Sequence, residues 1–289
     1  YDTGLFGQEH ETKGKGVIMH DKRFWYAVGV LVVGMVVLVS GAEAAGYSGG
    51  SGTEEDPYQI GNVDDWTTLA ATAADFDKYF ILVADLDFGG GPVTPVGAPS
   101  PRFDGIFDGG GYVLRNGYID FPSTSYIAVF PCLGANATIR NLGVEAVEIT
   151  GKDYVGGLVG YNMGAPITSC YATGAVTGED YVGGLLGYNT GQVTSSYTEG
   201  EVRGTSTVGG LVGWCGGSIT SCYATGLVMG TGDKVGGLVG NLYSSMITAC
   251  YATGVVTGSE SVGGLVGYSG GRVTLSYATG AVKVLSSGN

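Results

Sequence analysis

The chain has 289 residues, of which 56 are glycine, far above the usual share of ~7%. Apolar residues make up 44% and charged residues 13%, too apolar a balance for a disordered tail. The lack of a Gly-X-Y period excludes collagen, and interior glycine at roughly 1 kcal/mol per residue against alanine excludes a helix-rich fold. The formal net charge of −13 repels nucleic acid and anionic lipid.

The first methionine is Met19, so residues 1–18 read as an upstream extension of the reading frame. Residues 19–44 read as a secretory signal peptide. Lys22 and Arg23 are its basic segment, Trp25 to Val39 a run of fifteen apolar residues, and Ala42-Glu43-Ala44 a small-x-small cleavage site. Fifteen residues fall short of the ~20 that a membrane-spanning helix needs. Both histidines, His10 and His20, precede that cleavage site. The mature chain would therefore have no histidine for acid–base work, a triad or a metal. From Ala45 onward 21 acidic residues face nine basic ones, which suits an exported soluble protein.

Residues 45–150 read as an N-terminal cap and irregular first coils. Asn62 or Asp64 can cap a short helix that carries Trp66, Leu69 and Ala70 on one face. That helix is expected to cover the end of the fold, where an open strand edge would otherwise pair with other chains. Extended runs follow at Tyr79–Asp87, Phe103–Tyr112 and Ile139–Val144, separated by glycine.

Residues 151–283 are five repeats. Val-Gly-Gly-Leu-(Val/Leu)-Gly begins at Val155, Val182, Val208, Val235 and Val262, with spacings of 27, 26, 27 and 27. A second block, close to Ile-Thr-Ser-Cys-Tyr-Ala-Thr-Gly, places Tyr171, Tyr197, Tyr223, Tyr251 and Tyr277 in one column. Val, Ile, Thr and Tyr favour strands, and no stretch has the length or period of a helix. Each unit reads as three extended segments, Gly157–Tyr161, Pro166–Ala172 and Ala175–Thr177 in the first. Three strands per unit predict an all-β fold, a parallel β-helix or β-solenoid of ~27-residue coils stacked about 4.8 Å apart. Seven or eight coils are expected between Leu82 and Lys283. The predicted inward ladders are Leu158 with Leu185, Leu211, Leu238 and Leu265; Ile167 with Val193, Ile219, Ile247 and Val273; and Val176 with Val202, Val228, Val256 and Val282. Gly156-Gly157 and its counterparts would let backbone pass backbone at a corner. Residues 284–289 read as a truncated or uncapped tail.

The two blocks resemble the GLUG-motif repeat, a bacterial family named for its G-L-(any)-G core, over Gly151–Lys283. The second repeat departs mildly, with Tyr197-Thr198-Glu199-Gly200 in place of Tyr-Ala-Thr-Gly. The resemblance implies an exported, adhesin-like surface protein and carries over no catalytic residue.

Three residue sets could carry chemistry. Asp85, Asp87, Asp104 and Asp108 cap turns through the backbone, with structural calcium and a carboxylate pair as the alternatives. Of Cys132, Cys170, Cys215, Cys222 and Cys250, three share a repeat position with Ser196 and Ser276. They read as stacked free thiols, with a Cys222–Cys250 bridge as the alternative. The Tyr column reads as a packing ladder, with a sugar-stacking stripe as the alternative, and Trp214 is the strongest single candidate for an exposed contact. Asn136-Ala137-Thr138 matches a glycosylation sequon by pattern only. No catalytic, cofactor-binding or metal residue is assigned. The function expected is a structural or adhesive module, secreted or at the cell surface, without catalysis. Its partners would be extracellular glycans or matrix and cell-surface proteins, with no nucleic acid and no stable membrane insertion. The competing expectation is a polysaccharide lyase or glycoside hydrolase on the same fold, which needs a loop-formed cleft with Arg or Lys facing acids.

Overall fold

A computed structural model describes residues 46–285. The upstream extension, the signal peptide and residues 286–289 of the tail lie outside the described residues.

The backbone winds as a parallel β-solenoid of about eight coils. Its nine-stranded sheet contributes one strand per coil, eight of them from Tyr79–Leu82 to Arg272–Thr274. Three further sheets of six, thirteen and five strands complete the wall. The first repeat coil has five short strands, Val155–Gly156, Val159–Asn162, Ile167–Thr168, Tyr171–Ala172 and Val176–Thr177. Each pairs in parallel and in register with its counterpart one coil on.

Five strands replace the three read from the sequence, for two local reasons. Ser169, at φ 54°, turns the chain between Thr168 and Tyr171. Ser195, Ser221, Ala249 and Leu275 repeat that turn at φ 50–55°. The Gly156-Gly157-Leu158 corner makes the second break. A Cβ on Gly157 would collide with the Gly184 carbonyl of the next coil, so only glycine lets the coils approach there.

The three predicted ladders line the interior. Leu158, Leu185, Leu211 and Leu238 are fully buried, as are Ile167, Val193, Ile219 and Ile247. Burying each such side chain contributes roughly 1.5–3 kcal/mol, and only a neighbouring coil completes that burial. At the fifth repeat Leu265 is part-buried, Val273 is 39% exposed and Val282 is 44% exposed.

The early coils hold aromatic rings in their core. Phe80, Phe103, Phe107 and Phe130 are buried and in mutual contact. Two longer strands, Val113–Asp120 and Gly143–Thr150, run in register with each other. The second meets two of the short strands of the first repeat, Tyr171–Ala172 and Val176–Thr177, with Gly143 opposite Tyr171 and Ile149 opposite Val176. The helix Val63–Ala71 starts where the Asn62 side chain accepts the Asp65 N–H at 2.9 Å. It buries Trp66 and Leu69. The Trp66 ring meets Phe107 and Phe130 edge-on at 5.8 Å, and its indole N–H donates to the Thr94 carbonyl at 2.9 Å.

Candidate functional site

The aspartates form two copies of one clamp. Asp87 lies in register with Arg115 on the next coil, and Asp108 with Arg140. In each copy the carboxylate accepts from the Arg Nε, at 3.3 and 2.7 Å. It also accepts from the amide of the following Asn, Asn116 or Asn141, and from a glycine N–H two residues downstream, Gly89 or Gly110. The Gly89 N–H and Asn116 hold the Asp87 carboxyl below the usual carboxylate range. At Asp108 burial opposes ionisation, but Asn141, Gly110 and Arg140 more than offset it, and the carboxyl is again held down. Asp85 reaches Arg115 at 3.5 Å. Asp104 accepts both the backbone N–H and the side-chain amide of Asn136, at 3.0 and 2.7 Å. All four aspartates thus bind the next coil of their own chain, which is the turn-capping reading extended across coils. Among the described residues no group of three or more His, Cys, Asp or Glu is placed to hold a metal ion.

Asp104 nevertheless borders a groove of about 400 Å³, whose lining includes Ser100, Arg102, Asn136 and Met163. It is a place where an arginine and an acid share one concavity outside the repeats.

The five cysteines are free and buried. Cys170, Ser196, Cys222, Cys250 and Ser276 make one ladder. Each sulfhydryl or hydroxyl donates to the threonine carbonyl two residues back. Each from Ser196 onward accepts the backbone N–H of its counterpart one coil earlier. The position therefore needs a small side chain that both donates and accepts, which Ser and Cys supply. Burial pushes the Cys170 thiol up to about 12 and Cys132 and Cys215 up to about 11.

Three aromatic columns climb the outer wall. Tyr171, Tyr197, Tyr223, Tyr251 and Tyr277 stack with centroids 4.7–5.4 Å apart and planes within 10°. Tyr126, Tyr154 and Tyr181 stack at 4.7 and 4.8 Å. Tyr161, Tyr188 and Trp214 stack at 4.6 and 4.2 Å, and meet the second column edge-on at 5.6–6.3 Å. Within a column the faces of the inner rings lie on their neighbours, whereas Tyr277 at the end of its column is 56% exposed. A sugar ring stacks on a face, so the column interiors act as packing ladders.

Trp214 departs from its predicted role for the same reason. Its ring lies against Tyr188 on one side and Tyr243 on the other, the latter at 5.6 Å and 25°, and the residue is only part-exposed. It also explains Gly216, whose Cβ would come within 2.7 Å of the indole. The most exposed ring is Tyr243, at 60%, ahead of Tyr277 at 56% and Tyr268 at 53%.

An asparagine pair was not read from the sequence. Asn162 and Asn189 are fully buried and linked at 2.8 Å, and each carboxamide also closes its own corner through Ala165 or Gly191. The available signal was the Tyr-Asn pair at Tyr161-Asn162 and Tyr188-Asn189.

Fold and columns together define a repeat protein of the parallel β-solenoid class. The chain carries GLUG-motif repeats: the GLUG motif matches residues 153–177 and 234–257. It is 33% identical over 147 residues to halomucin of Haloquadratum walsbyi, covering 47% of this chain and 2% of that protein. It is 34% identical over 144 residues to a candidate Gly-rich membrane protein of Evansella cellulosilytica, covering 44% of this chain and 16% of that one. The chain thus spans a small part of the curated relatives it matches. A crystal structure of a candidate immunoglobulin A1 protease from Bacteroides ovatus is similar, with a TM-score of 0.70 at 25% identity over 84% of this chain and 83% of that one.

Proposed function

We propose that the chain is a structural and adhesive module of an exported surface protein. The observation that carries this reading is the continuity of its columns. Apolar, Ser/Cys and Tyr ladders run in register from coil to coil, and each rung's hydrogen bonds and ring faces are engaged by the next. Such a wall makes a stiff rod whose accessible chemistry lies at corners and ends. The names of the relatives, a halomucin and a membrane protein, support a place outside the cell or at its surface. No helix of the described residues is long and apolar enough to cross a membrane. The partners are extracellular glycans or matrix proteins. A glycan and matrix-protein binding array on the full chain, run beside an assay for reducing ends and unsaturated products with calcium, is expected to give binding without turnover.

One observation favours a second reading, an enzyme on the same solenoid. Arg102 and Asp104 line one groove, the kind of juxtaposition a polysaccharide lyase or hydrolase needs, and one similar structure carries an enzyme's name. Turnover that disappears in Asp104→Ala would establish that reading in place of the first.

A further inference from the structure

We propose that Tyr243 and Asn241, bordered by Tyr268, form a binding site for a neutral pyranose ring. The inference rests on the adhesive reading and gives it a ligand class.

The third aromatic column breaks at one rung. Trp214 lies in register with Asn241, and Asn241 with Tyr268, so an amide stands where the neighbouring coils carry a ring. Its Oδ1 is buried and has no hydrogen-bond partner, whereas the Asn162 and Asn189 carboxamides are fully engaged. A buried acceptor left without a donor is destabilising, and no bond to the protein holds this oxygen, so the carboxamide of the part-exposed Asn241 can turn it toward a ligand hydroxyl.

The corner after this strand is also unlike its counterparts. Met163, Thr190, Gly216 and Gly270 follow the equivalent strand position in the other repeats, and here the residue is Tyr243. One face of its ring rests against Trp214, and it is the most exposed aromatic side chain of the described residues. The corner is fixed. The Tyr243 N–H donates to the Cys215 carbonyl at 2.8 Å, the Ser245 hydroxyl donates to the Gly217 carbonyl, and the Met246 N–H donates to the Ser245 hydroxyl at 2.7 Å. A platform held this way loses little freedom on binding. Tyr268, 53% exposed, bounds the site on the next coil.

An exposed aromatic ring beside an acceptor that the protein leaves unused matches a pyranose. Its C–H face covers the ring while a hydroxyl at its rim donates to Asn241. The net charge of −13 disfavours acidic sugars, so the ligand is neutral.

The test titrates the full chain with cellohexaose, N-acetylchitohexaose and a galactose hexasaccharide, by calorimetry and by the emission of its three tryptophans, of which Trp214 stacks on Tyr243. At least one sugar is expected to bind and change the emission. Tyr243→Ala is expected to weaken that binding about tenfold, Asn241→Leu about fivefold, and Tyr197→Phe, in another column, not at all. Circular dichroism and the melting temperature report folding, and Tyr243→Ser serves if Tyr243→Ala does not fold. Binding by none of the three sugars, or binding unchanged in Tyr243→Ala, overturns the site while a matrix-protein ligand would leave the adhesive reading standing. Hydrolysis of a sugar overturns the non-catalytic reading but not the site.

Discussion

Ser196 donates its backbone N–H to the Cys222 thiol on the next coil, 3.4 Å away. That contact repeats along the ladder with sulfur or oxygen as acceptor, which is why serine and cysteine alternate there. Cys222→Ser keeps both the donor and the acceptor and is expected to leave the denaturation midpoint nearly unchanged. Cys222→Ala leaves the Ser196 N–H buried without a partner and is expected to cost about 1–3 kcal/mol. Urea titration of the two variants, followed by near-ultraviolet circular dichroism, separates them.

The glycine corners predict a steeper response. A Cβ on Gly200 would collide with the Gly174 carbonyl, and one on Gly226 with the Gly200 carbonyl. Backbone cannot yield as a side chain does. Gly200→Ala is expected to lower stability by about 1–3 kcal/mol or more. Gly89 is exposed, with φ at +59° and open space for 4 Å around the position a Cβ would take. Alanine there is expected to cost only the left-handed backbone penalty of about 1–2 kcal/mol. Thermal melts of the two alanine variants compare the mechanisms.

Acid should loosen the early coils first. Asp87 and Asp108 are held below their ordinary value of 3.8 in the folded chain. Groups depressed on folding contribute stability above that ordinary value and lose it as pH falls through the folded one. Melting temperature is therefore expected to drop below about pH 4. Asp108→Asn should lower it at neutral pH and flatten the acid limb. Asp180 has the opposite sign, because burial and Asp153 raise its carboxyl, so protonation there relieves strain on acidification.

The thiols should be silent in the native state. All five cysteines are free and buried, and a thiol must be reached by the reagent to react. A disulfide reagent at mild alkaline pH is expected to label none of them in the native chain and all five in denaturant. Native labelling, or fewer than five thiols after unfolding without reductant, would contradict the free ladder.

The inward ladders were legible because identical apolar residues recur at a fixed interval, and the structure pairs Leu158, Ile167 and Val176 with the counterparts the spacing names. The number of strands was not. The turn at Ser169 puts a non-glycine residue at φ 54°, and nothing in a serine announces that conformation. The Asp–Arg–Asn clamps join residues 28 and 32 apart in the stretch where no repeat discloses the register. Trp214 misled for a related reason: its sandwich depends on Tyr243 leaning from a neighbouring corner, which register alone does not show.

Every repeat coil presents nearly the same surface above as it receives from below. Duplication or loss of one unit of about 27 residues, by unequal recombination within the gene, would land each side chain on a familiar partner. The length of the rod is thus a quantity heredity can adjust without solving the packing again, while a single altered corner such as Tyr243 can be placed anywhere along it.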